Sequence, residues 1–133
     1  APHAGVQRLV RDLNAVLRHY PALSRLDTSA AGFAWISHDD AEHSVLAFER
    51  HDGCGQAVVV ICNLTPIVRS HWRLGVPHDG SWREAINTDA AIYGGSGVSN
   101  PAQTCEPVPW LGRAQSIVLT LPPLACVFLV QGT

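Results

Sequence analysis

The first twenty residues place apolar side chains at steps of three and four positions. Such positions share one face of an α-helix, so the pattern predicts an amphipathic helix with a wide apolar stripe. The stripe comprises Val6, Leu9, Val10, Leu13, Val16, Leu17 and Tyr20. Pro21 ends the pattern, because a residue that precedes proline is disfavoured in the helical conformation.

From Phe33 onward the apolar positions either alternate with period two, as in half-buried strands, or form short β-branched runs, as in buried strands. Two Asp-Gly pairs, at 52–53 and 79–80, are typical of hairpin turns between successive strands. The second turn would make Trp72 and Trp82 cross-strand neighbours. The fold class is therefore mainly β, an antiparallel β-sandwich preceded by one amphipathic α-helix. The seven predicted strands cover 33–36, 45–50, 57–62, 72–76, 82–87, 117–121 and 124–130.

Residues 87–109 interrupt the strand pattern with glycines and prolines. A loop of this length is uncommon in a compact domain unless it is functional or rests on a neighbour. Its glycines offer few side chains with which to anchor it. We therefore expect residues 3–20 and 87–109 to form a face that meets a partner, and to exchange their amide hydrogens faster than the sandwich core.

Composition narrows the classes of partner. With 133 residues, 47% apolar and only 15% charged, the chain suits one globular domain with part of its surface covered. A net charge of −2 leaves no basic stripe for nucleic acid. The longest apolar runs are far shorter than the ~20 residues of a membrane helix, so no membrane partner is predicted. The chain opens without Met or a signal-peptide pattern, which predicts a fragment of a longer protein.

The four cysteines contain no C-x-x-C pair. Zinc-ribbon and thioredoxin-like interpretations therefore have no support. Because no secretory signal is recognised, we expect free thiols in a reducing, cytoplasmic setting, with a disulfide as the alternative.

No motif of this sequence predicts catalysis. The eleven acidic residues are scattered, and no spacing places an acid and a base across a cleft. Glu42 and Glu49 are expected at exposed strand positions. The seven histidines lack H-x-x-x-H and H-E-x-x-H spacings, and the glycine run 94–97 lacks a phosphate-binding pattern. No catalytic residue, no metal site and no cofactor is therefore predicted.

Aromatic side chains are the remaining candidates for binding. Flat rings suit the apolar faces of glucose, so the candidate carbohydrate-binding residues are Trp72, Trp82, Tyr93 and Trp110. The alternative is that large aromatics in a small sandwich pack in its core or against another domain. Packing is the favoured interpretation.

An ordered series of segments resembles the C-terminal domain of bacterial glycogen branching enzymes, the 1,4-α-glucan branching members of the α-amylase superfamily. The series covers nearly the whole chain in order: CNLTP at 62–66, GVP at 75–77, WRE at 82–84, NTDA at 87–90, YGGSGV at 93–98 and LTLPPL at 119–124. Residues 3–14 resemble the last helix of that family's catalytic barrel.

The resemblance implies that residues 1–27 are the last barrel helix and that residues 28–133 are an all-β sandwich. It further implies a parent enzyme that forms α-1,6 branches in an α-glucan with carboxylates of its barrel, none of which matches this chain. The barrel would be the intramolecular partner, which this domain supports and stabilises. A freestanding glucan-binding module that uses its surface aromatics is the alternative. Such a module has little use for the wide apolar stripe of the helix.

Overall fold

The computed structural model describes residues 2–40 and 42–132. Within them one α-helix, α1 (Pro2–His19), precedes eight strands: β1 (Phe33–Asp40), β2 (Val45–His51), β3 (Ala57–Asn63), β4 (Arg69–Val76), β5 (Ser81–Asn87), β6 (Gln103–Thr104), β7 (Gln115–Leu121) and β8 (Ala125–Gly132). Three short 3-10 helices, Pro21–Leu23, Ala30–Gly32 and Ala91–Tyr93, lie in the connections. The mainly β class with one preceding helix is confirmed, and each predicted strand has an observed counterpart. No helix among these residues is long and apolar enough to span a bilayer.

Two antiparallel sheets form the sandwich. The larger sheet has the order β1-β2-β3-β8-β5-β6, and the smaller sheet pairs β4 with β7. The core lies between them, because alternate side chains of the strands point inward. Its largest fully buried members include Trp82, Ile61, Leu74, Ile117, Leu121 and Leu129.

One of the two predicted hairpins is confirmed and the other is wrong. Around Asp52-Gly53 the chain reverses, and β2 pairs with β3. After Val76 the chain instead crosses between sheets, since β4 pairs with β7 while β5 pairs with β6 and β8. Trp72 and Trp82 therefore lie on strands of different sheets. A turn signal specifies that the chain reverses, but not which sheet receives the next strand.

A second apolar cluster covers part of the outer face of the larger sheet. Val58, Val60 and Val130 are buried there against Ala22 of the turn that follows α1. The Ala22 amide donates to Gln56 Oε1 at 3.0 Å, which fastens the turn to the start of β3. The turn after the helix is thus packed on the larger sheet.

Helix α1 lies against the turn Ala91–Tyr93 and against β5. Gly5 permits this approach, because a Cβ at Gly5 would lie 2.5 Å from the Tyr93 carbonyl oxygen. The apolar side chains along the other edge of the stripe remain exposed to solvent. Val6, Val10 and Leu17 are 59%, 53% and 47% exposed. Only part of the predicted apolar stripe is therefore covered.

The loop 87–109 is anchored by polar side chains, which corrects the expectation that it lacks anchors. The buried carboxylate of Asp89 accepts from the Ser96 amide at 2.9 Å, the Ser96 hydroxyl at 2.7 Å and the Val98 amide at 2.9 Å. Asn100 donates to the Thr120 carbonyl and accepts from its amide. Strand β6 also lies within this loop, where no strand is predicted.

Candidate functional site

A cleft of about 680 Å³ opens between the two sheets, on the side where β1 faces β4. The buried side chains of Ala47 and Leu74 reach it from the core. The side chains around its rim are mostly polar or aromatic. They are Ser37, Asp39, Asp40, His43, His71, Trp72, Arg73, Trp110 and Leu111.

One wall of the cleft carries Trp72, a half-buried residue of β4. Its ring packs edge-to-face on the His43 ring, with centroids 5.4 Å apart. Asp40 holds His43 in place, since its Oδ1 accepts from the His43 amide at 3.2 Å and lies 2.8 Å from Nδ1. The side-chain hydrogen bond with His43 is also the main cause that lowers the pKa of Asp40.

The cleft is also lined by Trp110, which is 45% exposed and lies on the segment between β6 and β7. Its amide donates to the Arg113 carbonyl at 2.9 Å, and its carbonyl accepts from the Arg113 amide at 3.0 Å. The turn sits directly on Gly75 of β4, because a Cβ there would lie 2.2 Å from the Trp110 carbonyl oxygen. A side chain at position 75 would therefore displace Trp110.

A buried ion pair fastens this turn to the larger sheet. Arg113 Nε donates to Glu49 Oε2 at 2.7 Å, and its Nη2 donates to the Trp35 carbonyl at 3.0 Å. Glu49 is 4% exposed and also contacts His51 Nε2 at 2.8 Å. The expectation that Glu49 is exposed is wrong, because its partner lies far along the chain and leaves no local signal at position 49.

The predicted carbohydrate-binding residues occupy three different places. Trp72 and Trp110 share the cleft. Trp82 is 1% exposed and donates to the His78 carbonyl at 3.1 Å, so its ring has no free face for a sugar and that prediction is corrected. Tyr93 lies elsewhere, and its hydroxyl donates to Asp12 Oδ2 at 2.5 Å.

The cleft combines stacking surfaces with hydrogen-bonding groups. Two non-glycine residues at its rim, His71 and Leu111, have positive φ angles of 56° and 50°. Such backbone conformations are found disproportionately where ligands bind. Aromatic walls with a few polar groups suit a neutral polyhydroxylated ligand. Among the residues that the structure describes, no three His, Cys, Asp or Glu side chains are grouped to hold a metal ion.

Comparison with known proteins gives consistent matches. The model of a family described as "Alpha amylase, C-terminal all-beta domain" matches residues 35–132. The chain is 53% identical over 98% of its length to the 1,4-alpha-glucan branching enzyme GlgB of Cereibacter sphaeroides, and 54% identical over 98% to that of Burkholderia vietnamiensis. It is 52% identical over 96% of its length to that of Aromatoleum aromaticum. It spans only 18%, 18% and 20% of these relatives.

Proposed function

Because this chain belongs to the alpha amylase C-terminal all-beta domain family, we propose that it is the non-catalytic C-terminal domain of a 1,4-α-glucan branching enzyme. The observation that carries the proposal is the match of almost the whole chain to less than a quarter of such enzymes. In the complete enzyme, carboxylates outside this chain would form the α-1,6 branches of glycogen. The four free thiols support a cytoplasmic location as part of the proposal.

The exposed side of α1 supports a catalytic barrel as the intramolecular partner. Val6, Val10 and Leu17 lie at steps of four and seven positions, so they form one line along the helix. Burying each side chain fully would contribute about 1.5–3 kcal/mol, and a contiguous apolar patch marks an interface. The family match begins at residue 35, after the helix. This supports our assignment of residues 1–27 to the barrel and of residues 28–133 to the sandwich.

The complete open reading frame that encodes this chain tests the proposal. We expect its product to introduce α-1,6 linkages into amylose, measured by debranching and chain-length separation. Val10→Asp should lower the yield of soluble, active enzyme and its thermal midpoint, because it places a charge in the proposed interface.

Ala15→Asp is the matched control, because it adds one negative charge at an exposed position on a different face of α1 from Val6, Val10 and Leu17. A product without branching activity would reject the enzyme assignment. A complete enzyme in which Val10→Asp and Ala15→Asp have the same effect would reject the helix as the interface.

The cleft favours a second, compatible function, the binding of an α-glucan chain. Trp72 and Trp110 both line the cleft, and Asp39 and His71 offer hydrogen-bonding groups at exposed positions. Calorimetric titration with maltoheptaose should detect binding that Trp72→Ala or Trp110→Ala weakens at least tenfold. Leu64→Ala, at an exposed position outside the cleft, is the control. Absence of binding, or equal loss in the control, would leave both tryptophans as packing residues.

A further inference from the structure

Two of the four cysteines face each other across the middle of the larger sheet. Cys62 of β3 pairs in register with Cys126 of β8, and their sulfur atoms lie 2.7 Å apart. Both are free thiols and both are partly accessible to solvent. Cys54 lies in the turn between β2 and β3, and Cys105 follows β6, so neither shares this arrangement.

The backbone hydrogen bonds show which kind of cross-strand pair this is. The Thr88 amide donates to the Cys126 carbonyl at 3.0 Å, and the Cys126 amide donates to Thr88 Oγ1 at 2.9 Å. Both backbone polar groups of Cys126 therefore point towards the β5 side, away from Cys62. Directly opposed residues that do not exchange backbone bonds are the closest pairs of an antiparallel ladder, with Cα atoms about 4.5 Å apart.

This pair meets the geometric demands of a disulfide. Disulfides join residues whose Cα atoms are about 4.4–6.8 Å apart, so the strands need no displacement to form the bond. A rotation of the two side chains is enough to close the remaining distance between the sulfur atoms. The hydrogen bond with Cys62 lowers the pKa of the Cys126 thiol, whereas that same bond together with burial raises the pKa of Cys62.

We propose that Cys62 and Cys126 form a redox-modification site, which a two-electron oxidant of the peroxide class converts into an intramolecular disulfide that links β3 to β8. The proposal concerns a different part of the molecule from the cleft and from the exposed side of α1. It does not depend on the function proposed above.

The reaction balances in two steps. The Sγ of one cysteine of the pair attacks one oxygen of hydrogen peroxide, the O–O bond breaks, and the leaving hydroxide takes the thiol proton as water. The Sγ of the other cysteine then attacks the sulfenic sulfur, the S–O bond breaks, and a second water leaves with the remaining thiol proton. Two thiols are oxidised to one disulfide and one peroxide is reduced to two waters. A dithiol reductant reverses the change by exchange.

The disulfide would be a covalent cross-link between the two central strands, β3 and β8. It closes a long loop between positions 62 and 126 of the unfolded chain, which reduces the conformational freedom of the unfolded state. The strands on either side keep their register, since the two residues are already paired. Oxidation should therefore raise the urea midpoint of unfolding, and reduction should lower it again.

The test uses the complete chain with Cys54→Ser and Cys105→Ser, so that only the paired cysteines remain. After treatment with a small excess of hydrogen peroxide, thiol titration under denaturing conditions should fall from two groups to none and return to two with dithiothreitol. The protein should stay monomeric on non-reducing electrophoresis, and its urea midpoint should rise. Peptide mapping of the oxidised wild-type chain should recover the peptides of Cys62 and Cys126 joined, a result that does not depend on the variant.

The matched control is the chain with Cys62→Ser and Cys126→Ser, which keeps the other two thiols. It should form no intramolecular disulfide and should show no rise in the urea midpoint. Two titratable thiols after oxidation of the first variant would overturn the proposal. Sulfinic acid or intermolecular dimers in place of the joined peptides would overturn it as well.

Discussion

Tyr93 and Asp12 join the loop to the helix through one hydrogen bond between side chains. That bond lowers the pKa of Asp12. Burial and the bond to Asp12 raise the pKa of Tyr93 to about 12. Because the pKa of Asp12 is lowered, its carboxylate stabilises the docked state at pH values above the ordinary pKa of 3.8. This contribution is lost as the pH falls through the lowered pKa. The Tyr93 phenol contributes its full stabilisation of the docked state below pH 10, its ordinary pKa. That stabilisation is lost as the pH rises through the raised pKa of about 12.

Tyr93→Phe should therefore loosen α1 at neutral pH and have a smaller effect in acid. Helical circular dichroism during urea unfolding, at neutral pH and near pH 3, measures the difference from wild type. Tyr20→Phe is the matched control, because its hydroxyl accepts only a long, exposed bond of 3.5 Å from Arg83. A loss that is equal at both pH values would show that the bond to Asp12 is not its cause.

Asp89 organises the glycine-containing turn at 94–97. Burial raises the pKa of Asp89, but hydrogen bonds from Ser96 and Val98 outweigh burial and lower it. Asp89→Ala removes the buried charged acceptor of three hydrogen bonds, so we expect a loss of about 2–3 kcal/mol in the free energy of unfolding.

Urea unfolding of Asp89→Ala followed by tryptophan fluorescence measures this loss. Asp39→Ala, at an exposed position, should stay within about 0.5 kcal/mol of wild type. An unchanged midpoint for Asp89→Ala would contradict the role of this carboxylate as the anchor of the turn.

Among the helices and strands, α1 is the element that packs against the rest of the domain on one side only. One side of the helix rests on Ala91–Tyr93 and β5, whereas Val6, Val10 and Leu17 face solvent. Strands β3 and β8 lie at the centre of the larger sheet and supply most of its buried apolar side chains. Local opening should therefore cost least in the helix and most in these two strands.

Hydrogen exchange followed by mass spectrometry measures this order. Amides of α1 should exchange first, those of β3 and β8 last, and those of Ser96 and Val98 between them because Asp89 accepts from both. We therefore still expect fast amide exchange in the helix. For the loop we now expect slower exchange than its glycines suggested, because Asp89 anchors it. Equal protection of α1 and β3 in a monomer would show that the helix belongs to the sandwich rather than to a barrel.

For the whole molecule we expect no branching activity from this chain alone. Glycosidic chemistry requires an acid and a base on opposite sides of a sugar. Asp39 and Asp40 are consecutive residues of β1 and lie on the same wall of the cleft, while Glu49 is neutralised by Arg113 in the interior. Amylose incubated with the chain should keep its iodine staining, in parallel with a buffer blank and an active branching enzyme. Turnover above the blank would contradict the prediction.

The sequence by itself determined the local elements of this protein. The three-to-four period of 6–20 predicts α1, and a period of two or a short apolar run predicts each long strand, because both patterns depend only on neighbouring residues. The Asp52-Gly53 reversal was predictable for the same reason. The ordered segments from 62 to 124 also sufficed to indicate the family, which the match at residues 35–132 confirms.

Only the tertiary structure decided which distant residues meet. It brought Trp72 and Trp110 to one cleft, buried Trp82, and paired Cys62 with Cys126. These outcomes depend on strand order, and strand order follows from how both sheets together cover a shared core. Since that choice is made by contacts between residues dozens of positions apart, no local period or turn signal could specify it.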